Sequence, residues 1–424
     1  MLRNATTTSS GGRRFVSQTV CCVDIGSSKI LAVAFSRQGS ELKVLGYGAG
    51  PARGVERGLV TDVDRLAGAL DYALQRLERE TGERYQDIIL NIGGRHLTCS
   101  SSQGFVKLLP PDQKVRSSHL LQVVDHSRHV GLPAGYEQIM ASVREYRLDG
   151  RRQVTRPLGM TGDRLEVLTL LVNAPSQELD QLQAAVEAAN RTIVDLVPSP
   201  LAAVFGLAPR EMREEHALVL DFGYSTTSIS VVRHGTVAFV GVAPVGSHHI
   251  TKDIAALLQC SEAEAERLKT QQAHVKLSDI VADEAVEVVQ NEGEPARKLK
   301  RRVLCEIVES RVRETLAHVR RLVESEGFST QGVPVALLTG GGALLGGMDA
   351  AVEQELGVQR ARTTWPKLTG MHARHLGVPE ATVAVGLARI ALEEGVEELQ
   401  PARDSAGWRE RLRAVWAMLP TGSK

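Results

Sequence analysis

Val20-Cys21-Cys22-Val23-Asp24-Ile25-Gly26-Ser27-Ser28-Lys29 and, far downstream, Leu218-Val219-Leu220-Asp221-Phe222-Gly223-Tyr224-Ser225-Thr226-Thr227 are two writings of one pattern. In each, an apolar run delivers an aspartate and a glycine into a turn of small hydroxyl residues, and a second apolar run returns, which predicts a strand-turn-strand unit. Glycine lets backbone amides approach phosphate oxygens closely, and the hydroxyls add donors. Asp24 and Asp221 are suited to hold the water shell of a magnesium ion (Mg2+) that bridges the phosphates. Two such halves facing each other can hold one ligand between them. A third close approach follows the apolar strand Val335 to Leu338, at Thr339-Gly340-Gly341-Gly342-Ala343, and suits a flat adenine or ribose ring. The candidate nucleotide-binding set is therefore Asp24, Gly26, Ser27, Ser28 and Lys29, then Asp221, Gly223, Tyr224, Ser225, Thr226 and Thr227, then Gly340, Gly341, Gly342 and Ala343.

Working outward, the chain of 424 residues is 43% hydrophobic and 24% charged, ordinary globular composition with material for more than one core. Lysine plus arginine equals aspartate plus glutamate, at 50 each, so no bulk field draws the molecule to nucleic acid, and none is expected as a partner. The cysteines, Cys21, Cys22, Cys99, Cys260 and Cys305, show no Cys-x-x-Cys spacing and read as thiols of a reducing cytosol. No apolar run reaches the roughly 20 residues of a membrane span. Residues 1–19 carry Arg3, Arg13 and Arg14 and no acid; this resembles a transit peptide but reads better as a disordered tail.

Between the paired turns, Thr61-Asp62-Val63-Asp64 opens a helix whose apolar positions Leu66, Leu70, Ala73, Leu74 and Leu77 recur at helical spacing up to Gly82. A strand is expected at Asp87 to Ile92, a helix near Ser117 to His129, a strand at Leu165 to Val172 and a helix at Gln177 to Ala189. After Ser261 the chain turns charged and helical, with a long helix from about Lys298 to Glu324.

The series of two Asp-x-Gly turns followed by a glycine triplet resembles that of the actin, sugar-kinase and chaperone ATPase superfamily. Within it the chain from about Val20 to Ile390 is similar to the FtsA family of bacterial cell-division proteins. The matches are Arg57-Gly58-Leu59-Val60-Thr61-Asp62, Pro198-Ser199-Pro200-Leu201-Ala202-Ala203, Pro244-Val245-Gly246-Ser247 with Ile250-Thr251-Lys252-Asp253-Ile254, Ala265-Glu266-Arg267-Leu268-Lys269, the glycine triplet, and Ala384-Val385-Gly386-Leu387. The resemblance implies an α/β, actin-like (ribonuclease H-like) two-lobed ATPase fold with an inserted FtsA-type (SHS2) subdomain in the first lobe. On it the chain divides into the tail 1–19, first-lobe core at 20–85, the insert at 86–163 and first-lobe core again at 164–205. Second-lobe core follows at 206–250, a charged helical partner-binding subdomain at 251–329, second-lobe core again at 330–375, and a closing helix returning to the first lobe at 376–394. It also implies ATP and Mg2+ as cofactors, with Glu266 and Lys269 reaching the nucleoside. Ser199 stands where many relatives in the superfamily carry a glutamate near the attacking water, so at most weak ATP hydrolysis is expected. The second turn departs from the usual glycine-rich form at Tyr224 and Ser225, which makes backbone approach there poorer.

A linker at 395–406 leads to a helix at 407–420 whose Trp408, Leu412, Val415, Trp416 and Leu419 share one face, with Arg409 and Arg413 opposite and Arg411 flanking. A terminal helix packed on the core would show a similar wheel; the linker, the tryptophans and the arginine-rich face favour an interfacial membrane helix on anionic lipid. Each arginine near such a surface adds about 1 kcal/mol, so one helix is a reversible anchor and a filament of many gains avidity. The run Arg297-Lys298-Leu299-Lys300-Arg301-Arg302 opposes a helix dipole, and is either a solvated face or a site for an acidic partner. By resemblance this subdomain would receive the C-terminal tail of FtsZ, with Arg301, Arg302 and Arg311 as candidates. The pairs His126 and His129, His248 and His249, and His372 and His375 lack a third metal ligand at suitable spacing and read as surface or satisfied histidines.

The expected function is thus an actin-like, ATP-binding division protein that polymerises on the cytoplasmic face of the membrane at the septum, tethers FtsZ filaments and recruits later divisome proteins. The alternative is an adaptor of the PilM kind from pilus assembly, which would stop near residue 390; the terminal helix separates the two. A phosphotransferase or chaperone ATPase would need a catalytic carboxylate and a further pocket or domain that the sequence does not show.

Overall fold

The computed structural model describes residues 19–39, 41–129, 131–154, 156–207, 216–280, 284–290 and 295–392, with the backbone alone at 151–153. Residues 1–18 of the expected tail 1–19, the linker 395–406 and the helix 407–420, with Trp408, Arg409, Arg411, Leu412, Arg413, Val415, Trp416 and Leu419, lie outside the described residues, and Thr19 opens the first strand.

Two sheets of like construction form the lobes. In the first, the hairpin of Thr19–Ile25 and Lys29–Gln38 continues into Glu41–Pro51 on one side, and on the other the parallel strands Asp87–Ile92 and Thr192–Pro198 follow. The second repeats this with the hairpin of Ala217–Phe222 and Thr227–Arg233, the third strand Thr236–Ala243, and the parallel strands Val335–Thr339 and Ala361–Thr363. Strands buried on both faces need continuous apolar sequence, and Cys21 to Val23, Ile30 to Phe35 and Leu218 to Leu220 supply it. The Val63–Thr81 helix covers one face of the first sheet. Asp62 caps it by accepting from Arg65 N, and Gly82 ends it in the left-handed conformation at φ 73.

The lobes meet through two helices. Ser199–Leu207 packs on the second-lobe sheet, where Ser230 Oγ donates to Pro200 O at 2.9 Å, and Thr382–Leu392 packs on the first-lobe sheet. They cross backbone to backbone: a Cβ on Gly206 would lie 2.1 Å from Thr382 O, and one on Gly386 would lie 1.8 Å from Ala202 O. Only glycine permits that approach.

Three boundaries differ from expectation. Strand Asp87–Ile92 belongs to the first-lobe sheet, and Arg164–Pro175 sits between Tyr136–Leu148 and Thr98–Lys107 in a separate four-stranded sheet. The insert therefore spans 93–175 rather than 86–163. The basic run does not head the long helix as a unit: Arg297–Lys300 is a strand paired with Ala285–Val288, and the helix is Arg301–Ser325. The return to the first lobe begins before 376, since Thr369 exchanges backbone bonds of 3.0 and 3.1 Å with Val44 and Leu42.

Candidate nucleotide site

The two turns are built alike. Gly26 N donates to Lys29 O at 3.0 Å and Gly223 N to Thr226 O at 2.9 Å, and a Cβ on either glycine would stand 2.9 Å from the carbonyl it serves. Each hairpin thus presents its aspartate at the mouth of the turn. Burial pushes the Asp24 carboxyl up to about 7, and Asp221 opposite pushes the same way against Lys29 and Asn91. Burial raises Asp221 to about 6. Two carboxylates within electrostatic reach of each other, both partly withdrawn from water, form a site for a cation.

Beside each aspartate stands a polar residue of the neighbouring parallel strand. Asn91 Nδ2 donates to Asp24 Oδ1 at 2.7 Å and to Ser199 Oγ at 3.0 Å, while Asn91 Oδ1 accepts from Ile25 N at 2.7 Å. Opposite Asp221 the register places Thr339, whose Oγ1 lies 2.7 Å from Thr382 Oγ1 and donates to Pro379 O at 3.0 Å. Both strands then run into glycines, Gly93-Gly94 in the first lobe and Gly340-Gly341-Gly342 in the second. Gly340 has φ 78, and a Cβ there would fall 2.3 Å from Asp221 Oδ1 and 2.6 Å from Phe222 O. Gly341 faces Glu380, whose Oε2 is buried without a hydrogen-bond partner among the described residues.

The Ser247–Leu258 helix starts on the second turn. Ser247 N donates to Gly223 O at 2.9 Å and His248 N to Tyr224 O at 2.8 Å, and a Cβ on Gly246 would strike Thr226 N and Tyr224 O at 2.6 Å. Tyr224, which stands where a glycine was expected, stacks on His248 with ring centroids 4.4 Å apart. Next to it, buried Lys269 donates to Glu266 Oε2 at 2.7 Å and Thr251 Oγ1 at 3.0 Å. Burial works against the Glu266 charge, yet the bonds from Lys269 and Thr251 hold its carboxyl below its ordinary value. That is a charged pair fixed before any ligand arrives.

The structure brings together Asp24, Gly26, Ser27, Ser28, Lys29, Asp221, Gly223, Tyr224, Ser225, Thr226 and the glycine triplet around one cleft, with Glu266 and Lys269 behind the second turn. Thr227 leaves the set: it is fully buried, and its hydroxyl donates to Val245 O at 2.8 Å, so it braces the turn instead of facing a ligand. Ala343 is also core, in the Gly341–Leu344 turn, so its side chain does not face a ligand. Arg301, Arg302 and Arg311 are already paired, with Glu284 at 2.7 Å, Glu306 at 3.0 Å, and Asp253 at 2.5 and 2.9 Å respectively. Sequence reasoning missed Asn91, Gly93, Gly94 and Glu380; the signal for Asn91 was a single amide closing the otherwise apolar strand Asp87–Ile92.

The residues fit a nucleotide with Mg2+. The glycine cradle has no room for side chains, burial and the neighbouring Asp221 outweigh Lys29 at the Asp24 carboxyl, and Glu380 Oε2 has no hydrogen-bond partner among the described residues. Among the described residues no three His, Cys, Asp or Glu side chains gather into a direct metal cage.

Duplicated strand-turn-strand lobes, hinged by crossing helices around a cleft with an aspartate from each side, define the class: this is an actin-like fold carrying an inserted subdomain in its first lobe. Among solved structures it is similar to that of the PilM-PilN type IV pilus biogenesis complex, with a TM-score of 0.62 at 18% identity, covering 88% of this chain and 98% of that one. It is also similar to MreB5 of Spiroplasma citri bound to ADP, with a TM-score of 0.51 at 11% identity, covering 88% and 95%. The family description "Cell division protein FtsA" matches residues 218–386, and "SHS2 domain inserted in FTSA" matches 94–173, in agreement with the sheet-defined insert. Cell division protein FtsA of Bacillus subtilis is 27% identical over 87% of this chain and 82% of its own length. Those of Neisseria meningitidis and Escherichia coli K12 are each 25% identical over 92% of this chain and 94% and 96% of theirs. The chain belongs to the FtsA family of cell-division proteins.

Proposed function

We propose that this division protein binds ATP with Mg2+ between its lobes, and that the bound form polymerises on the cytoplasmic face of the membrane at the septum, tethers FtsZ filaments there and recruits later divisome proteins. The observation that carries the nucleotide reading is the facing pair Asp24 and Asp221, each at the mouth of a glycine turn and each raised by burial. Magnesium supplies charge neutralisation between phosphates and carboxylates when bound. The chain's own residues do the rest: Gly26, Ser27, Gly223 and Ser225 offer backbone and hydroxyl donors to phosphate oxygens. Lys269 and Glu266 offer a preformed charged pair to the ribose or base, with Gly340 to Gly342 forming the wall against the ring and Glu380 accepting from a hydroxyl. Ser199, tied to Asn91, has no carboxylate to orient water, so binding outweighs turnover.

Attachment is assigned to the sequence at 407–420 and the FtsZ tail to the charged subdomain at 251–329. Since Arg301, Arg302 and Arg311 each hold an internal partner, an acidic tail would draw first on exposed Arg297 and Lys298 of the neighbouring strand. The test is co-sedimentation of the full chain with anionic liposomes, with and without Mg-ATP, beside a chain ending at Gln400. Pelleting that needs 401–424 and grows with ATP supports the reading; pelleting indifferent to both refutes it and favours a soluble adaptor of the PilM kind.

A further inference from the structure

We propose that Arg57 reads the terminal phosphate of a bound nucleoside triphosphate from the first-lobe lip of the cleft, and so makes the site prefer a triphosphate to a diphosphate. The proposal rests on the nucleotide reading above and adds to it a residue that neither paired turn contains. Val55–Glu56 and Leu59–Val60 form a minimal hairpin with Val55 opposite Val60 and Glu56 opposite Leu59, which leaves Arg57 and Gly58 as its two-residue turn. Both have positive φ, 53 and 78, the geometry that favours Asn-Gly or Gly-Gly. Arginine in the left-handed region costs about 1–2 kcal/mol against glycine. Backbone held against residue preference is found clustered at ligand-binding sites.

The turn is docked on the phosphate machinery. Gly58 N donates to Ser27 Oγ at 3.2 Å, within the first phosphate turn. A Cβ on Gly58 would stand 2.7 Å from the backbone of Gly94, and one on Gly94 would stand 2.9 Å from Gly58 O. Arg57 is thereby fixed between Ser27 and the glycine pair that follows Asn91. Its side chain is exposed and makes no ion pair or hydrogen bond among the described residues.

Across the cleft stands the start of the Ser247–Leu258 helix. Burial lowers the affinity of His249 for a proton, its bond to Gly246 works the other way, and Arg311, Arg57 and Lys252 all push towards the neutral ring. His249 of the second lobe thus lies within electrostatic reach of Arg57. Of the second-lobe groups around His249, the imidazole itself is held towards its neutral form, Arg311 is neutralised by Asp253 and Glu314, and Lys252 is cationic. An unpaired guanidinium at this lip attracts a polyanion into the cleft. A planar guanidinium binds phosphate with paired donors, which an ammonium cannot reproduce. The terminal phosphate is the group a diphosphate lacks.

The experiment measures affinity of the full chain, by calorimetry with Mg2+, for ADP and for a non-hydrolysable ATP analogue. Arg57→Gly and Arg57→Asn suit the turn at least as well as arginine, so thermal stability should hold or rise. Both should weaken analogue binding about tenfold or more while ADP changes less than about twofold, with Arg57→Lys between. Equal loss for both nucleotides, or none for either, overturns the assignment. If the unaltered chain binds neither nucleotide, the nucleotide reading of the cleft fails with it; if it binds both and only the variants disappoint, that reading stands and Arg57 alone is released.

Discussion

Replacing Asp24 by asparagine should strengthen the empty protein and disable the loaded one. In the fold the Asp24 carboxyl titrates near 7, against 3.8 in the unfolded chain, so folding binds its proton more tightly. The stability tied to that proton is full below about pH 4 and is lost as pH rises through 6 to 7, where Asp221 also titrates, near 6. About three pH units at about 1.4 kcal/mol each gives about 4 kcal/mol of strain at pH 8 for Asp24. Part of this is the mutual repulsion with Asp221, and a buried amide keeps a desolvation cost of its own, so Asp24→Asn should recover about 1–3 kcal/mol. Urea unfolding of nucleotide-free, metal-free protein should show the variant's midpoint furthest above the parent's at pH 8, with the difference shrinking steadily as pH falls towards about 4, where the unfolded Asp24 also takes up its proton. The same variant should lose at least about tenfold in Mg-ATP affinity. A parent midpoint that stays flat from pH 5 to 8, or a variant weaker than the parent at pH 8, would refute the facing-carboxylate account.

Gly340→Ala places a Cβ 2.3 Å from Asp221 Oδ1 at φ 78, and should cost about 2–5 kcal/mol from left-handed strain and overpacking together, with nucleotide affinity falling in parallel. Unchanged affinity in calorimetry would remove the glycine triplet from the site. Asn91→Ala strands the Ile25 amide and takes a donor from Asp24, so the urea midpoint at pH 7 should drop by the equivalent of about 1–3 kcal/mol. Gly386→Ala forces apart helices whose backbones touch at Ala202 O, and should cost about 3 kcal/mol or more, read as faster limited proteolysis with the nucleotide-free protein affected most.

The paired lobes were legible because the feature that makes them, Asp-x-Gly between two apolar runs, is local. So was the Val63–Thr81 helix, marked at its ends by Asp62 and Gly82. The edges of the insert were not, because an apolar strand does not say which sheet it joins: Asp87–Ile92 and Arg164–Pro175 are chosen by partners distant in sequence. Asn91 escaped notice for the same reason, since its importance lies in the register that sets it beside Asp24. Thr227 was misread because a hydroxyl next to a glycine turn looks like a donor until the pleat points it inward to Val245 O. The pairing of the long helix's arginines was hidden because two of their acids, Glu284 and Asp253, come from other segments, although Glu306 and Glu314 lie one turn from Arg302 and Arg311.

The helix crossing at Gly206 and Gly386 has a mechanical consequence. A contact of backbone on backbone has no side chains to compress or rearrange, so it behaves as a fulcrum. If the lobes rock about it, displacement grows with distance from that point. The aspartates of the two turns, held near the crossing by Ser199 and by Thr382 through Thr339, would then shift little. The lips at Arg57 and His249 would travel furthest, so a small change in what lies between the carboxylates becomes a larger movement at the rim.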